Sequence, residues 1–395
     1  MRLKPAELSW TETVAGISVK VLLGWLYGFI YLHYYNGDDT WKIFNLSLKE
    51  TSRLLNDPAS FFWREYTPMH ALQRTHGLSQ FLRFYIEDLE YALLVKTMAI
   101  VNLLTRGNYY ADVALFNFLT FFGHYWLFKI LNEKFPGYRK LFFIAIFFFL
   151  PAVFWLSGLR VDGLLLFFLS LFLLYLFRNG RFDFRRVVAL VLSFIGIFIC
   201  RPELSFILLL ATAGYCVSLV SRKTVVSYAT VFATAIILFF LSAMVLPGDG
   251  LPGKIVQKQA AFMELQGTRF ALDRLTPGPV GFLKVLPQAA VNTFLRPFPW
   301  EARGALRIMA SVEILLFWMI IIVAAARRRH DWRFRLRDPV ILFLLTFSIT
   351  LYLMTGYIVP FPGAIVRYRA IAELLLIAVA VTFTKQRNSS DYKII

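Results

Sequence analysis

The sequence predicts an all-α membrane protein, a polytopic transmembrane helical bundle of about 10 or 11 membrane segments with an amphipathic surface helix in the first loop. Of its 395 residues, 58% are apolar, and the mean hydropathy is +0.61. Soluble domains are about 45–50% apolar. The apolar residues also form long runs, and within a bilayer a helix satisfies all of its own backbone hydrogen bonds. The composition therefore argues against a soluble globular enzyme, a disordered chain and a disulfide scaffold.

Net charge and cysteine content further restrict the partners and the kinds of site that the sequence supports. The 42 Lys and Arg residues exceed the 24 Asp and Glu residues, which gives a net charge of +18. The basic residues are scattered between apolar runs, so we expect membrane lipids as partners and no nucleic acid. The two cysteines, Cys200 and Cys216, both lie in apolar runs, which supports neither a disulfide framework nor a thiolate metal site.

The apolar runs place the membrane segments in order along the chain. The first run ends in the bulky residues 31–35, whereas signal peptidase needs small ones, so we expect a retained anchor. A weaker run, 89–105, is short and carries Lys96. Strong runs of roughly membrane-spanning length lie near residues 14–34, 111–131, 140–158, 162–178, 186–200, 203–221, 224–246, 307–326, 339–359 and 366–384.

Two longer hydrophilic stretches interrupt a chain that we otherwise treat as a single integral membrane domain over 1–395. The first, 35–88, begins with alternating apolar and charged residues over 41–55, a pattern that predicts an amphipathic helix at the membrane surface. The second, 247–306, is rich in proline, but apolar residues recur in it. We therefore expect a large structured extracytoplasmic loop there.

The distribution of basic residues predicts the orientation of the bundle. Basic clusters occur in the stretches 129–140, 178–186, 222–223 and 327–338, which we place in the cytoplasm by the positive-inside rule. The opposite face then carries the turns 159–162 and 201–203, the loop 247–306 and the segment 360–367. The stretch 35–88 joins that outer face if 89–105 is re-entrant or interfacial, which we prefer because 89–105 is the weakest run.

An acidic pair follows the first membrane segment. Asp38 and Asp39 are adjacent, and repulsion between two carboxylates can raise the pKa of one of them enough for it to act as a base near neutral pH. The alternative is structural, because either aspartate could cap the surface helix that follows.

Two very short turns between apolar runs carry charged residues. Arg160 and Asp162 share one turn, and Arg201 and Glu203 flank Pro202 in the other. An arginine at the membrane surface can hold a phosphate through two parallel hydrogen bonds. The alternatives are a local ion pair with a helix cap in the first turn, and a proline–glutamate helix start in the second.

A proline-rich segment, 292–301, precedes the run at 307–326. It contains Arg296 and Glu301 between prolines and aromatic residues. Such a frame is typical of an interfacial anchor, and it could also hold the two charged side chains at a binding site.

The last apolar run opens with Arg367 and Arg369. Arg369 and Glu373 are four residues apart, a spacing that favours an ion pair on one helix face. Glu313 and Glu373 lie inside apolar runs, where an acid costs roughly 2.5–3.5 kcal/mol on insertion scales, so both are functional candidates. His124 is more typical of a satisfied core histidine. No cofactor is predicted, and no ligand motif supports a divalent metal.

These motifs resemble those of the GT-C type of integral-membrane glycosyltransferases. The matching features, in chain order, are the acidic pair after the first segment, the stretch 147–163 with its Trp155–Ser157–Gly158 pattern, the turn with Arg201 and Glu203, and the Arg-Tyr-Arg at 367–369. The chain lacks a clear counterpart of that family's acidic motif in a later outer loop.

The resemblance implies a function. The chain would transfer a sugar from a polyprenyl-phosphate carrier to a glycan or lipid acceptor at the outer face of a bacterial inner membrane. Asp38 or Asp39 would take the acceptor's proton, help that is worth about 10²–10⁴-fold in rate. Arg160, Arg201, Arg296 and Arg367 would hold the lipid phosphate. The wider set of residues that bind the substrate or its phosphate also includes Asp162, Glu203, Glu301 and Arg369.

Two other functions fit the same composition. A polymerase of the O-antigen or exopolysaccharide type also has many spans, a large outer loop and essential arginines. A transporter or flippase of a lipid-linked or anionic substrate is the alternative from another class, although transporters often show internal repeats and broken helices, and no repeat is visible here.

Overall fold

The computed structural model describes residues 7–63, 78–181, 183–246, 248–302, 304–327 and 332–384. Part of the predicted first hydrophilic stretch, 64–77, and part of the basic stretch at 327–338, namely 328–331, lie outside the described residues. The described chain is helical and forms two compact units, Met1–Glu133 with Val153–Glu203 and Lys134–Ala152 with Leu204–Ile395.

The first unit contains the predicted anchor and most of the segments that follow it as far as Glu203. A π-helix, Ala92–Lys96, separates its fourth and fifth α-helices. Its α-helices are α1 (Trp10–Tyr35), α2 (Asp38–Asn56), α3 (Pro58–Trp63), α4 (Leu78–Tyr91), α5 (Thr97–Thr105), α6 (Tyr109–Lys134), α9 (Val161–Leu176) and α10 (Phe184–Cys200). Of the two helices between α6 and α9, α7 (Arg139–Phe147) belongs to the second unit, and the boundary between the units falls within α8 (Leu150–Trp155), after Ala152.

The second unit holds most of the C-terminal half. A short 3₁₀ helix, Pro299–Glu301, lies in its proline-rich segment. Its α-helices are α11 (Pro202–Ser221), α12 (Thr224–Val245), α13 (Gly250–Glu264), α14 (Pro279–Phe294), α15 (Ala305–Ala326), α16 (Trp332–Arg335), α17 (Pro339–Ile358) and α18 (Pro362–Phe383).

Within the described residues, six helices are long and apolar enough to cross a membrane: α1, α6, α11, α12, α15 and α17. The all-α polytopic bundle is therefore confirmed. The predicted run 140–158 is instead split into α7 and α8, because Pro151 has no N–H to donate to the preceding turn. Helix α18 is 22 residues long but carries Arg367, Arg369 and Glu373, and α9 is apolar but shorter.

Two glycines let α1 approach its neighbours in the first unit. A Cβ atom on Gly28 would lie 2.2 Å from the Tyr109 ring, and one on Gly24 would lie 2.7 Å from the Ser157 carbonyl oxygen. Trp41 donates its indole N–H to the Gly28 carbonyl at 2.9 Å and stacks on Tyr109 with ring centroids 3.8 Å apart. The start of α2 is thereby fixed against α1 and α6.

The helix predicted over 41–55 forms as α2, with Phe44, Ser47 and Glu50 buried and with Lys42 and Lys49 exposed. Asn102 donates to the Ser47 hydroxyl at 2.9 Å and to the Thr51 hydroxyl at 3.0 Å, while Leu55 stays exposed. Small polar residues that form hydrogen bonds across a helix contact are typical of helix packing inside a membrane. Helix α2 therefore pairs with the segment 92–105 through hydrogen bonds.

The proline-rich stretch of the second unit folds into α13, α14 and an ordered connection. Gln259 donates to the Tyr357 carbonyl at 2.8 Å and accepts from the Leu275 backbone N–H at 2.8 Å. Phe270 donates its backbone N–H to the Pro360 carbonyl at 2.8 Å. These bonds fasten the connection to the end of α17.

Candidate functional site

The acidic pair lies at a sharp turn between α1 and α2. Asn36, Gly37 and Asp38 have positive φ angles of 53°, 91° and 40°. A left-handed backbone costs a non-glycine residue free energy, and such residues cluster at functional sites. Gly37 occupies the N-cap of α2, without a side-chain cap, so neither aspartate caps the helix as the structural alternative required. Both lie in its first turn, where negative charge is favoured.

Arg160 brings the acidic pair into contact with the turn before α9. Its Nη2 donates to Asp39 Oδ2 at 2.6 Å, and its Nη1 lies 3.7 Å from Asp38 Oδ2. The Arg160 side chain is 11% exposed, whereas those of Asp38 and Asp39 are 43% and 52% exposed. The arginine therefore forms the floor of a site whose rim is acidic and open.

Asp162 joins this arginine to a second one. Arg201 Nη2 donates to Asp162 Oδ1 at 2.9 Å, and Arg160 Nε lies 3.9 Å from Asp162 Oδ2. Asp162 is 3% exposed, and its short contact reaches a residue 39 positions away, so it is more than a local partner of Arg160. We call Asp38, Asp39, Arg160, Asp162 and Arg201 the acid–arginine cluster.

Residues of α1 and α6 contact the turn that carries Arg160. Lys20 Nζ donates to the Leu156 carbonyl at 2.8 Å, and Asn117 Nδ2 donates to the Ser157 carbonyl at 2.8 Å. A Cβ atom on Gly158 would lie 2.8 Å from the Tyr27 ring. Three independent contacts thus fix the backbone from which the Arg160 side chain extends.

Two buried donors at the cluster have no hydrogen-bond acceptor among the described residues. They are the Tyr27 hydroxyl and the Arg160 Nη1. A buried donor without an acceptor costs about 1–3 kcal/mol, so such a group in a native protein calls for an explanation. Burial opposes the charge on Arg160, but Tyr27 and the three aspartates outweigh it and raise its pKa. The guanidinium is therefore charged and can accept an anionic ligand.

Glu90 also interacts electrostatically with Arg201, Asp162 and Arg160 of the cluster, and the sequence did not single it out. It is half-buried in the last turn of α4. Burial raises its pKa from 4.5 to about 7; the charge of Arg201 opposes this shift, and Asp162 and Glu87 add to it. The sequence shows a glutamate at the start of a weak apolar run. It does not show that the charge of this residue interacts with Arg201, which is 111 positions later.

Glu203 lies in the first turn of α11, half-buried, directly after Pro202. The predicted proline–glutamate helix start is therefore present, and the negative charge lies at the positive end of the helix dipole. The other four predicted site residues belong to the second unit: Arg296, Glu301, Arg367 and Arg369.

Arg296 and Glu301 form an ion pair at 3.2 Å. Arg296 also donates to Asn292 Oδ1 at 3.0 Å, and its guanidinium lies 5.1 Å from the Phe270 ring centroid. Glu301 accepts from the Phe298 backbone N–H at 3.1 Å. The proline-rich segment therefore holds both charged side chains in a fixed frame.

Arg367 and Arg369 have different surroundings on α18. Arg367 is partly exposed and donates from Nε to the Gly363 carbonyl at 3.2 Å. Arg369 is fully buried, with its Nη2 3.1 Å from Glu313 Oε1 and its Nε 2.9 Å from Glu373 Oε1. The predicted pairing of Arg369 with Glu373 is present.

The expected phosphate contact of Arg369 does not fit this burial. Its Nη1 donates to the carbonyls of Arg296 at 2.8 Å and Thr293 at 3.3 Å, so protein groups surround the guanidinium. Arg369 ties α14, α15 and α18 together and leaves no room for a ligand. The two intramembrane acids, Glu313 and Glu373, serve here as its counter-ions.

Among the described residues, no group of three or more His, Cys, Asp and Glu side chains is placed to hold a metal ion. His124 is buried in α6, as its position in an apolar run suggested. Compared with protein-family models, curated proteins and solved structures, the chain matches none.

Proposed function

We propose that this protein is a membrane glycosyltransferase that moves a sugar from a polyprenyl-phosphate carrier to a glycan or lipid acceptor. The reaction would take place at the extracytoplasmic face of a bacterial inner membrane. The observation that carries the proposal is the contact of Arg160 with Asp39 at 2.6 Å, extended through Asp162 to Arg201. It joins segments far apart in the sequence into one charged site.

The two arginines suit the phosphate of the carrier. A guanidinium presents a planar fork of donors that matches phosphate oxygens, and hydrogen bonds between charged partners are about twice as strong as neutral ones. Arg160 Nη1 and the Tyr27 hydroxyl lack an acceptor among the described residues, and phosphate oxygens would supply one. Arg160 also precedes α9, whose N-terminus favours an anion.

The same contacts support the chemical step. As the bond between the sugar carbon and the phosphate oxygen breaks, negative charge grows on the phosphate. Donors that are already in position stabilise such charge without reorganising, and removing one typically costs about 10²–10³-fold in rate. Asp162, buried between the arginines, keeps both guanidinium groups in place.

The apolar helices explain how a lipid substrate reaches a charged site. The acidic rim of the cluster is solvent-exposed, while α1 and α6 below it are long and apolar enough to cross a membrane. A polyprenyl chain can stay in the hydrocarbon while its phosphate lies at the surface. The proposal therefore needs no soluble domain.

The test is glycan production in cells that lack the chain and receive variants of it. We expect the double variant Asp38→Asn, Asp39→Asn to lose the product, because Arg160 then loses two counter-ions and the site two carboxylates. Glu264→Gln changes an exposed carboxylate at the end of α13 and is the matched control. Full product from the double variant would refute the proposal.

A further inference from the structure

We infer that the second unit binds an anionic phospholipid. One acyl chain of the lipid lies in a groove between α15 and α17, and the headgroup phosphate lies beside Arg335 and Arg337 at one end of that groove. No residue of the acid–arginine cluster takes part, so the inference goes beyond the proposed function and does not depend on it.

The groove forms because two helices share a neighbour without packing on each other. Helices α15 and α17 both pack against α18, but within the described residues they make hardly any contact with one another. A cavity of about 400 Å³ lies there, within the range of about 300–1,000 Å³ that is usual for ligand pockets. Its floor includes Leu376, Val379 and Ala380, which are buried in α18. Ile349 of α17 also lines the cavity but is exposed, so the groove is open at the surface of the second unit.

The lining of the groove is wholly apolar. Every lining side chain is that of an alanine, valine, leucine, isoleucine, phenylalanine or tryptophan. The one polar side-chain group among these described residues, the Trp318 indole N–H, donates to the Phe294 carbonyl at 2.6 Å. An apolar cavity of this kind stays dry and takes apolar ligands. A hydrocarbon chain therefore fits the groove, whereas a sugar or a charged headgroup does not.

The groove is also elongated. On α15 its lining runs from Phe317 to Ala325, a rise of about 12 Å along the helix axis. On α18 the lining runs from Leu376 to Phe383, a rise of about 10 Å. An extended acyl chain that lies parallel to the helices matches this shape.

Arginines flank one end of the groove. Leu336 lines the cavity and stands between Arg335 and Arg337, just before α17. Arg327 follows the last turn of α15, two residues after the lining residue Ala325. Arg327 and Arg337 are exposed, and Arg335 is half-buried. This end of the groove therefore carries positive charge where it meets its surroundings.

A further set of contacts keeps Arg335 near the same end. Its guanidinium lies 5.9 Å from the Tyr138 ring centroid. Tyr138 donates its hydroxyl to the Thr384 carbonyl at 3.0 Å, directly after the lining residue Phe383. The acid nearest in the sequence, Asp338, accepts from two backbone N–H groups and caps α17. One acid that serves a helix start does not cancel the charge of three arginines.

An anionic phospholipid matches this combination of features. It joins a long hydrocarbon chain to a phosphate, which a guanidinium binds through two parallel hydrogen bonds. The positive-inside rule places the stretch 327–338 in the cytoplasm. The cytoplasmic leaflet carries anionic lipids, and basic pockets between transmembrane helices on that side bind their headgroups. Polyprenyl phosphate has the same two parts, so the experiment compares the two lipids directly.

The experiment uses the purified full-length protein in detergent and a phosphatidylglycerol whose acyl chain carries a photoactivatable group. After illumination, mass spectrometry identifies the cross-linked peptides and so reports where the chain lies. Unlabelled phosphatidylglycerol, phosphatidylethanolamine and polyprenyl phosphate then compete with this probe. The melting temperature of each variant shows whether it is folded.

The first pair of variants tests the headgroup site. The double variant Arg335→Gln, Arg337→Gln removes charge from the end of the groove. Its matched control, Arg178→Gln with Arg181→Gln, removes two exposed arginines from another basic stretch.

The second pair of variants tests the groove itself. Ala325→Phe places a large side chain in the lining at an exposed position, so the fold tolerates it. Ala326→Phe is the matched control, because the next residue is also exposed but is not part of the lining.

We expect the probe to cross-link to the wild type within the lining segments of α15 and α18. The arginine double variant should lower that yield at least about tenfold, because the arginines hold the anionic headgroup. Ala325→Phe should lower it as well, and both controls should stay within about twofold of wild type. Phosphatidylethanolamine, which has no net charge, should compete at least about tenfold less well than phosphatidylglycerol.

Three results would overturn the inference. Equal yields in the wild type and the arginine double variant, or equal competition by the two phospholipids, would show that the arginines do not select an anionic headgroup. Cross-links only outside the lining segments would place the chain elsewhere. Stronger competition by polyprenyl phosphate than by phosphatidylglycerol would make the sugar carrier the occupant. None of these results changes the acid–arginine cluster, so the proposed function is decided by its own test.

Discussion

The Nη2 atom of Arg160 lies 2.6 Å from Oδ2 of Asp39, although 121 residues separate the two in the sequence. This contact joins the exit of α1 to the start of α9. The same arginine approaches Asp162, which binds Arg201 at the end of α10. Three helix ends thus meet at one charged site, and the following predictions test what that site does and what holds it together.

Removing the buried carboxylate of the cluster should damage both stability and binding. Asp162→Asn leaves Arg201 without its short ion pair, and loss of one partner of a buried pair typically costs about 3–5 kcal/mol. We expect a lower melting temperature in nanodiscs and weaker polyprenyl phosphate binding than in Glu264→Gln. A melting temperature equal to that of the control would contradict the role of Asp162.

For phosphate binding, the planar arrangement of donors on the Arg160 guanidinium should matter as much as its charge. Arg160→Lys keeps a positive charge but cannot bind Asp39 and a phosphate through parallel hydrogen bonds. We expect polyprenyl phosphate to bind at least about tenfold more weakly, which corresponds to about 1.4 kcal/mol. Wild-type affinity in this variant would show that a point charge suffices.

The stability of the protein should depend on the proton affinity of Glu90. Its pKa is about 7 in the folded protein and 4.5 ordinarily, so between these values the folded state holds a proton that the unfolded state has lost. Stability from this residue is therefore present at low pH and declines as the pH rises from about 4.5 to about 7. Melting curves of wild type and Glu90→Gln over that range measure the difference. Parallel curves would rule out the shift.

The close approach of α1 should depend on Gly28. A Cβ atom there would meet the Tyr109 ring at 2.2 Å, so Gly28→Ala should destabilise the first unit by about 1–3 kcal/mol. Gly278→Ala is the matched control, since no atom lies within 4 Å of its added Cβ. Equal melting temperatures for the two variants would show that α1 can move aside at little cost.

Arg369 should be needed for folding rather than for binding. Arg369→Met leaves Glu313 and Glu373 buried without their cation, at a typical cost of about 3–5 kcal/mol. Replacing all three by neutral residues, with Glu313→Gln and Glu373→Gln added, should recover part of the lost melting temperature. If the triple variant is no more stable than Arg369→Met, the network is not a charge-balanced support.

The sequence was sufficient for those features that depend on local composition. Run length and hydropathy predicted the membrane helices, and the acidic pair and the arginine turns were placed at helix ends because polar residues interrupt apolar runs there. The break inside the predicted run 140–158 was missed, since hydropathy does not register the missing N–H of Pro151.

The contacts that build the site could not be predicted because they join distant segments. The partner of Asp162 is 39 residues away, and the electrostatic interaction of Glu90 with Arg201 joins residues 111 positions apart. Arg369 shows the converse, because its burial among Glu313, Glu373 and two carbonyls depends on three helices. Contacts of this kind join segments that are far apart in the chain, so they cannot be read from a single sequence.

The most direct test of the central claim is the affinity of the purified protein in nanodiscs for polyprenyl phosphate. The wild type is compared with Arg160→Ala and with Arg178→Ala, which removes an exposed arginine from a basic stretch outside the cluster. We predict saturable binding by the wild type and Arg178→Ala, and at least about tenfold weaker binding by Arg160→Ala. Equal affinity of the wild type and Arg160→Ala would contradict the account.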